Sequence, residues 1–166
     1  AIAQALADFR AAQTAVVTLP SDTQILITRE FAAPSRLVYK AWTTPELVKR
    51  WWSARRGQVT VAEVDLRVGG TWRWVMVTEG GFEVAFHGEY RELVPNERIR
   101  YTDNFDDPGL PGEIEVTVTL KAVSVGTELT IVQTGLPAVI PLETCYLGWQ
   151  ESLRNLARLV EPDIAD

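Results

Sequence analysis

REFAAPSRLVYKAWTTPELVKRWW, Arg29 to Trp52, is the stretch whose reading decides the fold. It begins as the end of a strand and then breaks twice, at Pro34 and at Pro45. Each proline suits the first turn of a helix, where its missing N–H leaves no intrahelical bond unmade. Thr44 precedes Pro45 and is placed to cap the orphan amides of the second helix, with Glu46 adding charge at its positive end. In the first helix Leu37, Val38, Ala41 and Trp42 share a face, which must pack on something large and apolar. The second helix presents Leu47, Trp51 and Trp52. Two short helices plugging a larger body is the reading that follows.

Downstream the pattern turns to strands. Val59 to Leu66 reads as one, and Gly69-Gly70 as a tight hairpin turn. TWRWVMVT, Thr71 to Thr78, puts Trp72, Trp74 and Met76 on one face. A three-residue turn at Glu79, Gly80 and Gly81 pairs Trp74 with Phe86, whereas a two-residue turn pairs it with Ala85. A slip of one residue exchanges the faces of a whole strand. The first register is preferred because it buries Phe82, Val84, Phe86 and Tyr90 together and points His87 outward. Arg98 to Asp103, Ile114 to Leu120 and Thr127 to Gln133 complete the strands. Pro141 to Val160 is a long amphipathic helix, with Leu142, Tyr146, Trp149, Leu153, Leu156 and Val160 at alternating steps of four and three. Hairpin succession implies an antiparallel sheet. One helix covers such a sheet only if the sheet curls around it, and that grip tends to enclose a pocket.

Upstream, residues 1–20 differ in character: an Ala-rich helical run, then β-like AVVTLP. They read as an appended arm, followed by one domain over residues 21–162 and a short tail, 163–166. A chain of 166 residues, 46% hydrophobic and 23% charged, has the make-up of an ordinary globular domain. Its net charge of -6 opposes binding to a phosphate backbone, so no nucleic-acid partner is expected. No apolar run reaches membrane-spanning length, so no membrane partner is expected either. The lone cysteine, Cys145, cannot form an internal disulfide, which suits a cytoplasmic setting.

The motif R-x-F-x-A-P-x-x-L-V-Y-x-A-W-T-x-P-E-x-x-x-x-W-W resembles the signature of the activator of heat-shock protein 90 ATPase homologues, within the START-like (SRPBCC) superfamily. The likeness continues through Asp65 to Gly70, Gly88-Glu89-Tyr90, Pro95 to Ile99, Gly126-Thr127 and Gly148-Trp149, and covers Asp22 to Glu161. It implies an α+β helix-grip: a curved antiparallel sheet of about six to seven strands around a long carboxy-terminal helix, with two short helices after the first strand. Superfamily relatives include carriers of apolar molecules, hormone receptors and aromatic cyclases, and the family's name comes from a co-chaperone.

Three functions therefore compete: a non-enzymatic binder of a small apolar or aromatic molecule, a protein–protein adaptor acting on a chaperone, and a cyclase-like or hydrolase-like enzyme. The binder is favoured. Its ligand-binding residues are expected to be Trp52, Trp72, Trp74, Phe86, Tyr101, Val116, Cys145, Trp149 and Leu153, with Val139 to Leu142 on one lip. Arg55 and Arg56 lie near the mouth. No catalytic residue, cofactor or metal is assigned, because the single histidine, His87, has no nucleophile elbow or zinc-ligand spacing beside it. Asp103, Asp106 and Asp107 read as a solvated loop cluster. The arm and a free sheet edge leave monomer and homodimer both open.

Overall fold

A computed structural model describes residues 16–21, 24–52, 57–107, 109–110, 112–137 and 140–161. The elements run β1 (Val16–Ser21), β2 (Gln24–Phe31), α1 (Ser35–Thr43), α2 (Pro45–Trp51), β3 (Gly57–Val64), β4 (Thr71–Thr78), β5 (Glu83–Val94), β6 (Arg98–Phe105), β7 (Ile114–Val123), β8 (Gly126–Thr134) and α3 (Leu142–Val160). All neighbouring strands are antiparallel, in the order β1-β2-β8-β7-β6-β5-β4-β3. The helix-grip expected from the strand count and the single long helix is thus the observed fold. β2 to β8 are its seven strands, and β1, from the AVVTLP stretch, pairs with β2 as an eighth. The Ala-rich part of the arm and residues 163–166 lie outside the described residues, as do Arg55, Arg56 and Val139.

Period-two alternation builds the inner face. Ile25, Ile27 and Phe31 of β2, Leu129 and Ile131 of β8, and Ile114, Val116, Val118 and Leu120 of β7 are all buried. Register stacks them in rows across the sheet: Ile27 opposite Ile131, and Ile131 opposite Val118. α3 lays Tyr146, Trp149, Leu153 and Leu156 against this face. Glu161, just past its end, accepts a hydrogen bond from Ala32 N at 2.7 Å and so ties the helix back to the end of β2. Gly126-Thr127 clamps the chain where it leaves β2. The Thr127 hydroxyl donates to Ala33 O at 2.7 Å. Gly126 takes a positive φ of 143°, and a Cβ there would stand 2.7 Å from Ala33 N.

Both prolines break the chain, though not identically. Pro45 opens α2 as its first helical residue, whereas Pro34 is the cap residue before α1. The Pro34 carbonyl accepts from Leu37 N at 3.0 Å and Val38 N at 3.4 Å. Thr44 caps α2 through its backbone carbonyl, which accepts from Leu47 N and Val48 N, and makes no side-chain cap bond. Its extended backbone (φ -105°, ψ 115°) is what sets α2 off from α1.

One turn reading and one side-chain placement need correction. Gly69-Gly70 is not a tight hairpin: six residues join β3 to β4, and Gly69 N and Gly70 O bond to the backbone of Tyr90 instead. The loop folds onto β5. At the next turn the three-residue reading holds, and Trp74 pairs with Phe86. Phe82, however, is 73% exposed rather than inward. Its carbonyl closes the turn by accepting from Thr78 N at 2.8 Å, and its ring is left in solvent.

A candidate aromatic ligand site

Indole rings from three elements meet at one end of the grip. The break at Thr44-Pro45 aims α2 so that Trp51 is swallowed whole, 1% exposed, with its ring 4.8 Å from that of Trp42 on α1. Its indole N–H donates to Ala41 O at 2.9 Å, locking α2 to α1. Asn155 of α3 donates to Trp51 O at 3.4 Å from the other side. Trp52 follows, half-buried, edge-on to Phe86 at 5.1 Å. From the sheet come Trp72 and Trp74, 4.9 Å apart, with Tyr101 edge-on to Trp72 at 5.6 Å.

The position of Trp72 depends on a residue with no side chain. Trp72 pairs with Gly88, and its indole crosses that bare glycine to donate to Thr102 O at 3.0 Å. The β5–β6 ladder is interrupted there, between the His87–Asn104 and Tyr90–Tyr101 pairs. Glu89 N, without its ladder partner, bonds the Thr102 hydroxyl at 3.0 Å. The sheet is thus opened by one ring and resealed by side-chain hydrogen bonds, as buried backbone groups require.

These side chains surround a small gap, lined by Trp42, Val48, Trp51 and Trp52 from the helices and by Trp72, Trp74, Tyr90 and Tyr101 from the sheet. Its free volume of about 20 Å³ lies far below the several hundred Å³ of small-molecule sites. The free space is narrow, because the rings lean on one another, and at its widest it takes about one water. Four of the nine expected site residues, Trp52, Trp72, Trp74 and Tyr101, line it. Phe86 stands behind Trp52. Val116 and Leu153 are fully buried and belong to the solid core beneath α3. Trp149 is not a lining residue either. It stacks on Trp42 at 6.0 Å and donates its N–H to Gln133 Oε1 at 2.9 Å. Cys145 is half-buried on the first turn of α3, and burial pushes its thiol up to about 11, which keeps it protonated and unreactive. Trp42, Val48, Trp51 and Tyr90 are the lining residues the sequence reading left out. The periodicity of α1 and α2 did mark Trp42 and Trp51 as inward, but as packing.

The polar groups divide between the two faces. His87 points outward, with Nδ1 2.6 Å from Asp106 Oδ1, while Asp106 Oδ2 is 2.6 Å from Arg73 Nη1. The hydrogen bond from His87, and then Arg73, hold the Asp106 carboxyl below its usual range. Asp103 does not belong with this surface cluster. It lies on β6, two residues beyond Tyr101 and on the same inward side, with Oδ1 fully enclosed and without a hydrogen-bond partner. Burial pushes its carboxyl up to about 7. Burial, with the Asp103 charge adding to it, raises the pKa of the Tyr101 hydroxyl. Among the described residues, no three His, Cys, Asp or Glu side chains could hold a metal ion, and no helix is long and apolar enough to cross a membrane.

Comparison with known proteins agrees with this architecture. Residues 32–161 match the family described as activator of Hsp90 ATPase homolog 1-like protein. A crystallised protein of Chromobacterium violaceum is 47% identical, with a TM-score of 0.83 over 86% of this chain and all of that one. The AHSA1-like protein of Aeromonas hydrophila, solved in solution, is 25% identical, with a TM-score of 0.67 over 81% of this chain and 90% of its own. A Mycobacterium smegmatis protein at 23% identity shares the fold, with a TM-score of 0.76 over 90% of this chain and 98% of that one. No functionally curated protein matches. From the Arg29–Trp52 motif, the seven-strand grip and a family match over most of its length, this chain belongs to the activator of Hsp90 ATPase homolog 1-like family of the START-like superfamily.

Proposed function

We propose that the protein binds a small apolar or aromatic molecule in the cavity that α2 closes. The observation that carries this reading is the lining: seven aromatic rings and one valine, contributed by helices and sheet, face one small gap that Trp52 half closes. Trp52 is the gate. It is only half-buried and ends α2 in an extended conformation, so turning its ring outward widens the space without moving Trp51.

Binding is expected to show in the tryptophans. Titration with the neutral fluorophore N-phenyl-1-naphthylamine should give saturable enhancement of the probe and quenching of the protein. Trp74→Ala should weaken binding by about tenfold, because one indole face contributes on the order of 1 kcal/mol beyond its area. Leu153→Val, a conservative change in the solid core, should leave the affinity unchanged. A linear, non-saturating response, or equal affinity in Trp74→Ala, would refute the reading.

A further inference from the structure

The two edges of the sheet are closed in different ways. A free edge presents a row of unpaired N–H and C=O groups, a template for any strand of matching pattern. At the β3 edge, α2 packs along the strand, and a register shift between Val59 and Val61 breaks its regularity. At the other end, β2 pairs with β8 without interruption from Ile25 to Phe31. Its opposite edge is therefore equally regular, and β1 lies on it. β1 is a poor template in its turn. It is six residues long, its register against β2 shifts between Thr18 and Ser21, and Pro20 has no N–H to offer a ladder. It also lies outside the family match, which starts at residue 32. A good template has been covered by a poor one.

We propose that the outer edge of β2 is a strand-docking surface for a second copy of this chain, and that residues 16–21 are a strap that occupies it and holds the protein monomeric. The strand that fits this edge is extended and alternates apolar with polar residues. β2 is itself such a strand: Ile25, Ile27 and Phe31 are buried on the inner face, and Thr28 and Glu30 lie on the other. Antiparallel pairing of two β2 strands about a twofold axis sets inner face beside inner face, so two grips join as one continuous sheet. The contact uses the same patch on both copies and closes at two, since α2 covers each β3 edge. β1 and a second β2 compete for one edge, so association requires the strap to leave.

The test compares the full chain with Val17→Pro by sedimentation velocity over a range of concentrations, with near-ultraviolet dichroism to report the grip. Val17 sits within the regular part of the β1–β2 pairing, opposite Ile27, and a proline there disrupts the ladder. The wild type is expected to sediment as a monomer, and Val17→Pro, its tryptophan signal unchanged, at twice the mass. A peptide of residues 15–22, AVVTLPSD, in large excess is expected to return the variant to monomer by taking back the edge. Thr18→Gly loosens the strap without a ring to accommodate and is expected to dimerise at higher concentration. A folded Val17→Pro that stays monomeric overturns the inference, as does a monomeric Thr18→Gly where the proline variant does not fold. So do a dimer that the peptide leaves intact, open-ended aggregates, or a wild type that is already dimeric.

Discussion

Gly88→Ala is expected to destabilise the protein by about 3 kcal/mol or more, a large effect for the addition of one methyl group. A Cβ at this position would lie inside the contact distance of Thr102 O and 2.6 Å from Trp72 Nε1. Neither neighbour is a flexible side-chain tip. Thr102 O belongs to the backbone of β6, and the Trp72 ring is wedged between Trp74 and Tyr101. Relief requires the indole to withdraw, which leaves a buried N–H and a buried carbonyl without partners. Each unmade bond costs about 1–3 kcal/mol on top of the overpacking. Urea denaturation should show a lower midpoint at unchanged slope, and the near-ultraviolet dichroism of the tryptophans should change with it. A loss below about 1 kcal/mol would mean that the Trp72 wedge does not organise the β5–β6 seam.

The second large effect has the opposite sign. Asp103→Asn is expected to stabilise the protein at pH 8 by roughly 4 kcal/mol, some 1.4 kcal/mol for each of the about three pH units between the folded and unfolded values. The native carboxyl holds its proton up to about 7 because burial disfavours its charge. In the unfolded chain the same group releases its proton near the ordinary Asp value of about 4. The folded pKa is therefore the higher one. The native state binds the extra proton, so wild-type stability falls, relative to the variant, as pH rises from about 4 to about 7, and the gap is constant above that. Below pH 4 the two proteins should be nearly equal. Denaturation midpoints for both proteins from pH 3.5 to 8 check this directly. A stability difference that does not vary with pH, or one that favours wild type at pH 8, would place Asp103 in a solvated or paired environment.

How much of this was legible in the sequence depends on which physical signal each residue sends. Proline breaks, the four-three stripe of α3 and the parity of Trp72, Trp74 and Phe86 are local signals, and they gave the architecture and the β4–β5 register. Phe82 misled because alternation was counted through a turn. Its backbone closes the hairpin, and its side chain is left in solvent. Asp103 has the same parity as Ile99 and Tyr101 in RIRYTDNF, so alternation places it inward. Its charge and the nearby Asp106 and Asp107 suggested a loop instead. The β6 strand continues to Phe105, and tertiary structure overrode composition.

The split of the indoles into cage and core was less accessible. Trp42, Trp51 and Trp149 all carry helical core spacing, and only the crossing of α1, α2 and α3 decides which of them border the void. Trp149 belongs to the packed side through Gln133 and Trp42. The role of Gly88 was hidden for another reason. A glycine in an alternating strand signals close approach, but the approaching group comes from Trp72, sixteen residues earlier.

The central claim is that a ligand enters the space between α2 and the Trp72–Trp74 ridge. The six tryptophans give six indole N–H signals in a nitrogen-15 correlation spectrum, and their response to a saturating titration with N-phenyl-1-naphthylamine tests the claim most directly. The account predicts saturable shifts at Trp52, Trp72 and Trp74, smaller ones at Trp42 and Trp51, and the least at Trp149. Shifts that never saturate, or that are largest at Trp149, would contradict it.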